Sequence, residues 1–268
     1  MVSYSRQFFK LTGSGNDFVF FDARCNPPGP LANPEVIARL CARGTGIGAD
    51  GIVFLTNSDS ADFRMIYYNS DGSEAALCGN AALCAARLAF ELKLVATEDF
   101  RFETGSGIVD ASVRAGLPEI SLTPVSELRT ELVGISLLEA EKRIGCARVG
   151  VPHFVVQCDD VANVDILKRG RELRWDASIP DGANVNFVSG EAGRWFVRTY
   201  ERGVEGETLA CGTGTVACMA LIRAWKLGES PGKFRATSGS DLVVTLDGDT
   251  PRLKGEGRIV FRGDFAEF

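Results

Sequence analysis

Histidine is nearly missing from this chain, and so are long apolar runs and clusters of like charge. His153 is the only histidine in 268 residues and no Cys-x-x-Cys pair occurs, so a zinc site would lack its usual donors and no metal is expected. The net charge is −6, and no lysine- and arginine-rich stretch is present to follow a phosphate backbone, which argues against a nucleic-acid partner. No apolar segment approaches the roughly 20 residues that a helix needs to cross a bilayer, so no membrane partner is expected either. The opening MVSYSRQFFKLTGSGNDF has no charged start, apolar run and small-residue cleavage site in sequence. The expectation is a cytoplasmic protein without a secretory signal. A dinucleotide fingerprint is also wanting. GTGIGADG at 44–51 follows a helical pattern rather than a strand, fails the context test and reads as a turn loop near the site.

What is present suits a soluble globular protein. The chain is 45% hydrophobic and 24% charged, with length for one large domain or two small ones. Eight cysteines stand at Cys25, Cys41, Cys78, Cys84, Cys146, Cys158, Cys211 and Cys218. A chain of this size needs no disulfide staples, and most of these thiols read as small buried hydrophobes. Cys78 and Cys211 stand apart.

The chain is written twice. Glu74, Cys78 and Gly79 in SEAALCGNAAL recur half a chain later as Glu207, Cys211 and Gly212 in GETLACGTGTV. Phe100, Arg101, Gly105 and Ser106 match Phe234, Arg235, Gly239 and Ser240, and Pro118 matches Pro251. Two related halves are expected, 1–120 with the Cys78 motif and 121–268 with the Cys211 motif. The last strand is free to cross into the first half, and 118–125 serves as the crossover. FRMIYYNS (63–70) and WFVRTYER (195–202) are aromatic and β-branched, as strands are. FRFE and IVDASVR flank a Gly-Ser-Gly turn, and VVTLDGD, PRLKGEG and RIVFRGD continue the strand pattern. By contrast, 79–94 and 212–227 are rich in alanine and leucine and apolar around most of the circumference, the mark of a buried helix. A further helix is expected over 34–43, on the surface. The fold class is therefore α+β: two pseudo-symmetric halves, each a mainly antiparallel β-sheet or barrel wrapped around a central buried helix.

Cys78 and Cys211 each immediately precede one of these buried helices. A helix N-terminus presents unpaired N–H groups and partial positive charge, which favour a thiolate and can hold a carboxylate. The glycine after each cysteine admits close approach of a ligand to the backbone. A thiolate and a thiol working on opposite faces of one carbon can invert a centre next to a carboxylate without a cofactor. Two other readings stay open: inert helix-start cysteines, or a pair that oxidises to a disulfide in a thiol-redox or amino-acid-binding protein.

NSDGSEAALCGNAALC (69–84), YERGVEGETLACGTG (200–214) and GSGNDF (13–18) together resemble the diaminopimelate epimerase family. The resemblance spans the chain. It implies epimerisation of LL-diaminopimelate to the meso isomer, without pyridoxal phosphate or any other cofactor, for lysine and cell-wall synthesis, by a possible homodimer. It casts Cys78 and Cys211 as the acid–base pair, and Gly79, Asn80, Gly212 and Thr213 as holders of the α-carboxylate. Asn16, Asn69, Asn184, Glu201 and Arg202 would grip the rest of the substrate, while His153 and Glu201 would tune the thiols. Proline racemases share the two-cysteine plan but carry Cys-Gly-His, where this chain has Asn80. Two departures stand out. Val151 replaces the asparagine of the usual Asn-Pro-His, and Ala81 and Leu83 replace the usual glycine and arginine. They leave room for a racemase of another polar amino acid.

Overall fold

Two segments at the ends of the chain pair with one another, and this fixes how it divides. The computed structural model describes residues 6–191 and 193–265. Ser121–Lys254 forms one compact unit, and the described residues up to Ile120 and from Gly255 onward form the other.

The first unit opens with strands β1 (Arg6–Gly13), β2 (Asn16–Asp22), β3 (Gly51–Thr56), β4 (Phe63–Asn69), β5 (Glu74–Ala75), β6 (Asp99–Thr104), β7 (Gly107–Arg114) and β8 (Leu117–Ser121). The second holds β9 (Ser126–Arg129), β10 (Glu141–Val149), β11 (Val151–Cys158), β12 (Asn184–Glu191), β13 (Arg194–Glu201), β14 (Gly206–Thr208), β15 (Gly232–Ala236), β16 (Asp241–Thr245) and β17 (Arg252–Lys254). The chain then returns to the first unit as β18 (Arg258–Phe265), antiparallel to β1.

The two units repeat one pairing scheme. In the first the order is β18-β1-β2-β3-β4-β6-β7-β8, parallel only at β2–β3 and β4–β6. In the second it is β9-β10-β11-β12-β13-β15-β16-β17, parallel only at β11–β12 and β13–β15. Both parallel steps need a crossover. Helices α1 (Pro34–Cys41) and α3 (Ile166–Arg174) supply the first in each unit, and α2 (Gly79–Glu91) and α4 (Gly212–Ala224) supply the second. Within each unit no pairing joins the outer strands among the described residues, so each sheet is open rather than a closed barrel.

The register corrects one sequence match. Tyr68 faces Glu74 as Tyr200 faces Glu207, and Phe63 pairs with Phe102 as Trp195 pairs with Phe234. Phe102, not Phe100, is the counterpart of Phe234. The error is two residues, which preserves side-chain parity in a strand. That is why both alignments keep the same apolar pattern.

Helices α2 and α4 are the cores of their units. From Asn80 to Ala86 every residue of α2 is buried, and so is Gly214–Ile222 of α4. Alanine lets the strands approach closely. A Cβ on Gly13 of β1 would lie 2.7 Å from the Asn80 carbonyl oxygen and 2.9 Å from Cys84 Sγ. Both helices stop three residues short of the sequence expectation, at a turn of the same geometry. Leu94 N–H donates to Ala89 O (2.9 Å) and Leu227 N–H to Ile222 O (3.0 Å), over Lys93 at φ 55° and Lys226 at φ 61°. This reversal usually uses glycine, so lysine conceals it in the sequence. Helix α3 lies outside the sequence expectation. Its Gly170 interrupts the helical pattern because Tyr200 leaves no space there, a Cβ meeting the Tyr200 Cβ at 2.6 Å.

Candidate active site

In the first unit Cys78 is the N-cap of α2, in extended conformation (φ −128°, ψ 120°), and half-buried. The extended cap turns the N–H groups of Gly79 and Asn80 out of the helix hydrogen-bond ladder, since the first turn has no preceding carbonyls to meet. The first i→i+4 bond runs from Ala82 N to Cys78 O at 2.9 Å. Asn80 is buried, and its side-chain amide donates to Asn16 Oδ1 at 2.7 Å. Asn16 opens β2 and donates in turn to Asp50 Oδ2 at 2.9 Å. A carboxylate only accepts, so Asp50 fixes which end of the Asn16 amide is which.

Asp50 is itself held. It accepts from Asp17 N at 3.1 Å and pairs with Arg43 at 2.7 Å, while Arg43 and Lys10 both reach Asp17 at 2.6 Å. Burial pushes the Asp17 carboxyl up, yet hydrogen bonds and charge from Arg43 and Lys10 outweigh it and hold the group below the usual carboxylate range. The loop at 44–51 is thus a support that orients Asn16 and, through it, Asn80. The sequence shows the loop but does not single out Asp50, Arg43 or Lys10; the acid two residues after GIG is the available signal. Asn69 is engaged in its own turn, donating to Ser73 Oγ at 3.0 Å.

The second unit repeats the cap with one difference. Cys211 (φ −127°, ψ 110°) opens α4 and is only 8% exposed. Its Sγ accepts from Gly214 N at 3.4 Å and lies 3.6 Å from Thr213 Oγ1. An N–H directed at sulfur favours the thiolate. Asn184 and Glu201 stand at the start of β12 and the end of β13, and Asn184 Oδ1 accepts from Arg202 N at 2.7 Å. The Arg202 guanidinium donates to the Asp181 and Gly182 carbonyls, both at 3.3 Å.

His153 lies on β11 beside Asn184 in register and is fully buried. Burial first, and the charge of Arg202 second, push its imidazole down to about 3, so it is neutral at physiological pH. Its Nδ1 is 3.3 Å from Asn186 Nδ2, and Asn186 Oδ1 takes the Thr199 hydroxyl at 2.9 Å. Asn186 and Thr199 are not marked in the sequence. In NVNF an asparagine alternating with valine looks like the solvent face of a strand, but here α4 covers that face.

The structure therefore gathers the expected residues into two sets. Cys78, Gly79, Asn80 and Asn16 meet in the first unit, with Asn69 at the end of a neighbouring strand. The second holds Cys211, Gly212 and Thr213, with His153, Asn184, Glu201 and Arg202 on neighbouring strand ends. Four other cysteines are held in the thiol form by burial. Burial pushes Cys41 up to about 11, Cys158 to about 12, and Cys84 and Cys218 well above the ordinary thiol range. None of the eight is in a disulfide, and no three His, Cys, Asp or Glu side chains among the described residues are grouped to hold a metal.

The paired scheme defines a class of two-unit folds known from solved structures. A Bacillus anthracis PhzF-family phenazine biosynthesis protein superposes with a TM-score of 0.76 at 15% identity, covering 98% of this chain and 99% of that one. A hydroxyproline epimerase from Agrobacterium vitis with bound trans-4-OH-L-proline gives 0.70 at 18% identity, covering 99% and 94%. The family itself comes from sequence. The diaminopimelate epimerase family pattern matches residues 8–122 and 145–260. A diaminopimelate epimerase from Gemmatimonas aurantiaca is 44% identical across 97% of this chain and 99% of its own length. One from Aquifex aeolicus is 38% identical across 97% and 98%. This chain belongs to the diaminopimelate epimerase family.

Proposed function

We propose that this protein converts LL-diaminopimelate to meso-diaminopimelate by two-base proton transfer between Cys78 and Cys211. One observation carries the reading: each unit presents a cysteine in extended conformation as the cap of its buried central helix. One thiolate takes the α-proton, forming S–H and leaving the electron pair on carbon. The other thiol gives its proton to the opposite face and becomes the thiolate. The pair then runs the reverse reaction with roles exchanged. The intermediate charge spreads onto the α-carboxylate, which the N–H groups of Gly79, Asn80, Gly212 and Thr213 stabilise. Asn16, Asn69, Asn184, Glu201 and Arg202 hold the distal amino-acid end, where an arginine suits a carboxylate and side-chain oxygens suit an ammonium. No step calls for a cofactor. His153 and Glu201 tune the thiols.

Incubation of the reduced enzyme with LL-diaminopimelate in D₂O tests this. The expected result is meso product with deuterium at one α-carbon, and loss of both exchange and turnover in Cys78→Ala and in Cys211→Ala. A folded, reduced enzyme that exchanges no α-proton refutes it. Val151, where the family resemblance implies asparagine, favours a second reading, a racemase of another polar amino acid. Faster exchange with glutamate, histidine or proline than with diaminopimelate would select it. A cytoplasmic location fits eight cysteines without a disulfide, and a homodimer is the assembly that light scattering should find.

A further inference from the structure

The second unit carries a buried His153–Asn186–Thr199 chain at positions where the first places Phe18, Val53 and Tyr67. On β2, β3 and β4 the pairs Phe20–Val53 and Val53–Tyr67 occupy the positions that Val155–Asn186 and Asn186–Thr199 occupy on β11, β12 and β13. Phe18 stands likewise where the second unit has His153. The same architecture is thus built with Phe18, Val53 and Tyr67, and its stability does not call for His153, Asn186 and Thr199. Polar groups fully buried without need carry a desolvation cost, so their presence requires another cause.

The hydrogen bonds assign each proton. Asn186 Nδ2 lies 2.9 Å from the Phe154 carbonyl oxygen. A carbonyl can only accept, so nitrogen must be the atom there and the amide cannot be flipped. Asn186 Oδ1 then accepts from Thr199 Oγ1. The second N–H of the same nitrogen points to His153 Nδ1 at 3.3 Å, so Nδ1 carries a lone pair and the proton sits on Nε2. That Nε2 is buried with no hydrogen-bond partner among the described residues. The Asn186 amide also lies beneath the turn that caps Cys211, since a Cβ on Gly214 would come 2.1 Å from Asn186 Oδ1.

We infer that Asn186, keyed by Thr199 and the Phe154 carbonyl, is a positioning residue that fixes His153 as the Nε2–H tautomer and so presents a neutral hydrogen-bond donor to an anionic group of the reaction. The catalytic part of this inference rests on the epimerase reading above; the tautomer does not.

The single histidine makes the test direct, because ¹⁵N-imidazole labelling yields one spin system with no assignment problem. At neutral pH the wild-type protein should show a pyridine-type Nδ1 and a pyrrole-type Nε2. The opposite pattern, or an imidazolium, overturns the inference without any variant. In Asn186→Val, which installs the first unit's residue, the imidazole should become a mixture of tautomers. Its kcat should fall about tenfold, the rate equivalent of one hydrogen bond, with KM within about twofold of wild type. An unchanged tautomer in a folded N186V, or an unchanged kcat beside a changed tautomer, refutes the positioning role. Wild-type protein with the Nε2–H signature but no α-proton exchange on any amino acid overturns the epimerase reading and upholds the tautomer.

Discussion

Gly214→Ala adds one methyl group in the first turn of α4, and its cost can be worked out from three distances. The new Cβ would stand 2.1 Å from Asn186 Oδ1, 3.0 Å from Asn186 Cγ and 3.2 Å from Cys211 Sγ. Asn186 cannot retreat without surrendering its bonds to Phe154 O, His153 Nδ1 and the Thr199 hydroxyl. Each buried bond lost costs about 1 kcal/mol, and more where a partner is left unsatisfied. Alanine returns at most about 1 kcal/mol of helix propensity. The net destabilisation should be about 2–4 kcal/mol, and a lowering of Tm by roughly 5–15 °C for a chain of this size. The first unit offers the control, since Ala81 holds the same helix position in α2 and β3 carries Val53 in place of Asn186; Ala81→Gly should cost only about 1 kcal/mol. Calorimetry of G214A, N186A and the double variant completes a cycle. Their effects should fall short of additivity by at least about 1.5 kcal/mol, because the methyl fits once the amide is gone. G214A melting at or above wild type, or simple additivity, would refute the packing argument.

Asp50→Ala should release the Asn16 amide and leave Arg43 short of a partner, raising KM for diaminopimelate about tenfold while kcat changes less; steady-state kinetics with unchanged KM contradicts the supporting role of 44–51. His153 titrates near 3 when folded and near 6.5 when unfolded. The unfolded state therefore binds the extra proton first, and stability is lost as pH falls from about 6.5 toward 3, at up to about 1.4 kcal/mol per pH unit. Acid denaturation of His153→Gln should lack that component, and an identical pH dependence would count against the buried neutral imidazole. Lys93→Gly and Lys226→Gly relieve a left-handed backbone at the ends of α2 and α4 and should each add about 0.5–1 kcal/mol. A lower Tm in both would show that the lysine side chains hold those turns.

The central helices are legible in the sequence because alanine and leucine surround 79–94 and 212–227 on all sides, a pattern suited to a helix buried around its whole circumference. Their caps are legible for the same reason, each cysteine being the last residue before that pattern begins. The helix ends are not, since a left-handed turn made with Lys93 or Lys226 has no compositional mark. Strands 63–70 and 195–202 match the observed β4 and β13 to within a residue at each end, as aromatic and β-branched runs allow. Helix α3 is hidden because Gly170 serves Tyr200, a contact between distant parts of the chain. The supporting residues are hidden for a related reason. Asp50 and Asn186 act through partners that only the sheet brings beside them, whereas Cys78 and Cys211 are marked by the alanine-rich helix that begins at the very next residue.

The return of β18 to pair with β1 bears on how the polypeptide is made. Ser121–Lys254 is contiguous and carries every strand of its own sheet, so a ribosome can release a foldable second unit in one piece. The first unit is emitted almost whole yet with the β1 edge bare, and its missing strand follows only after the whole second unit. Until then an unpaired edge of phenylalanine-rich β1 stays open to stray strands, and closing it joins strands separated by the whole second unit, a slow kind of contact to form. The unit begun before the other is completed only after it.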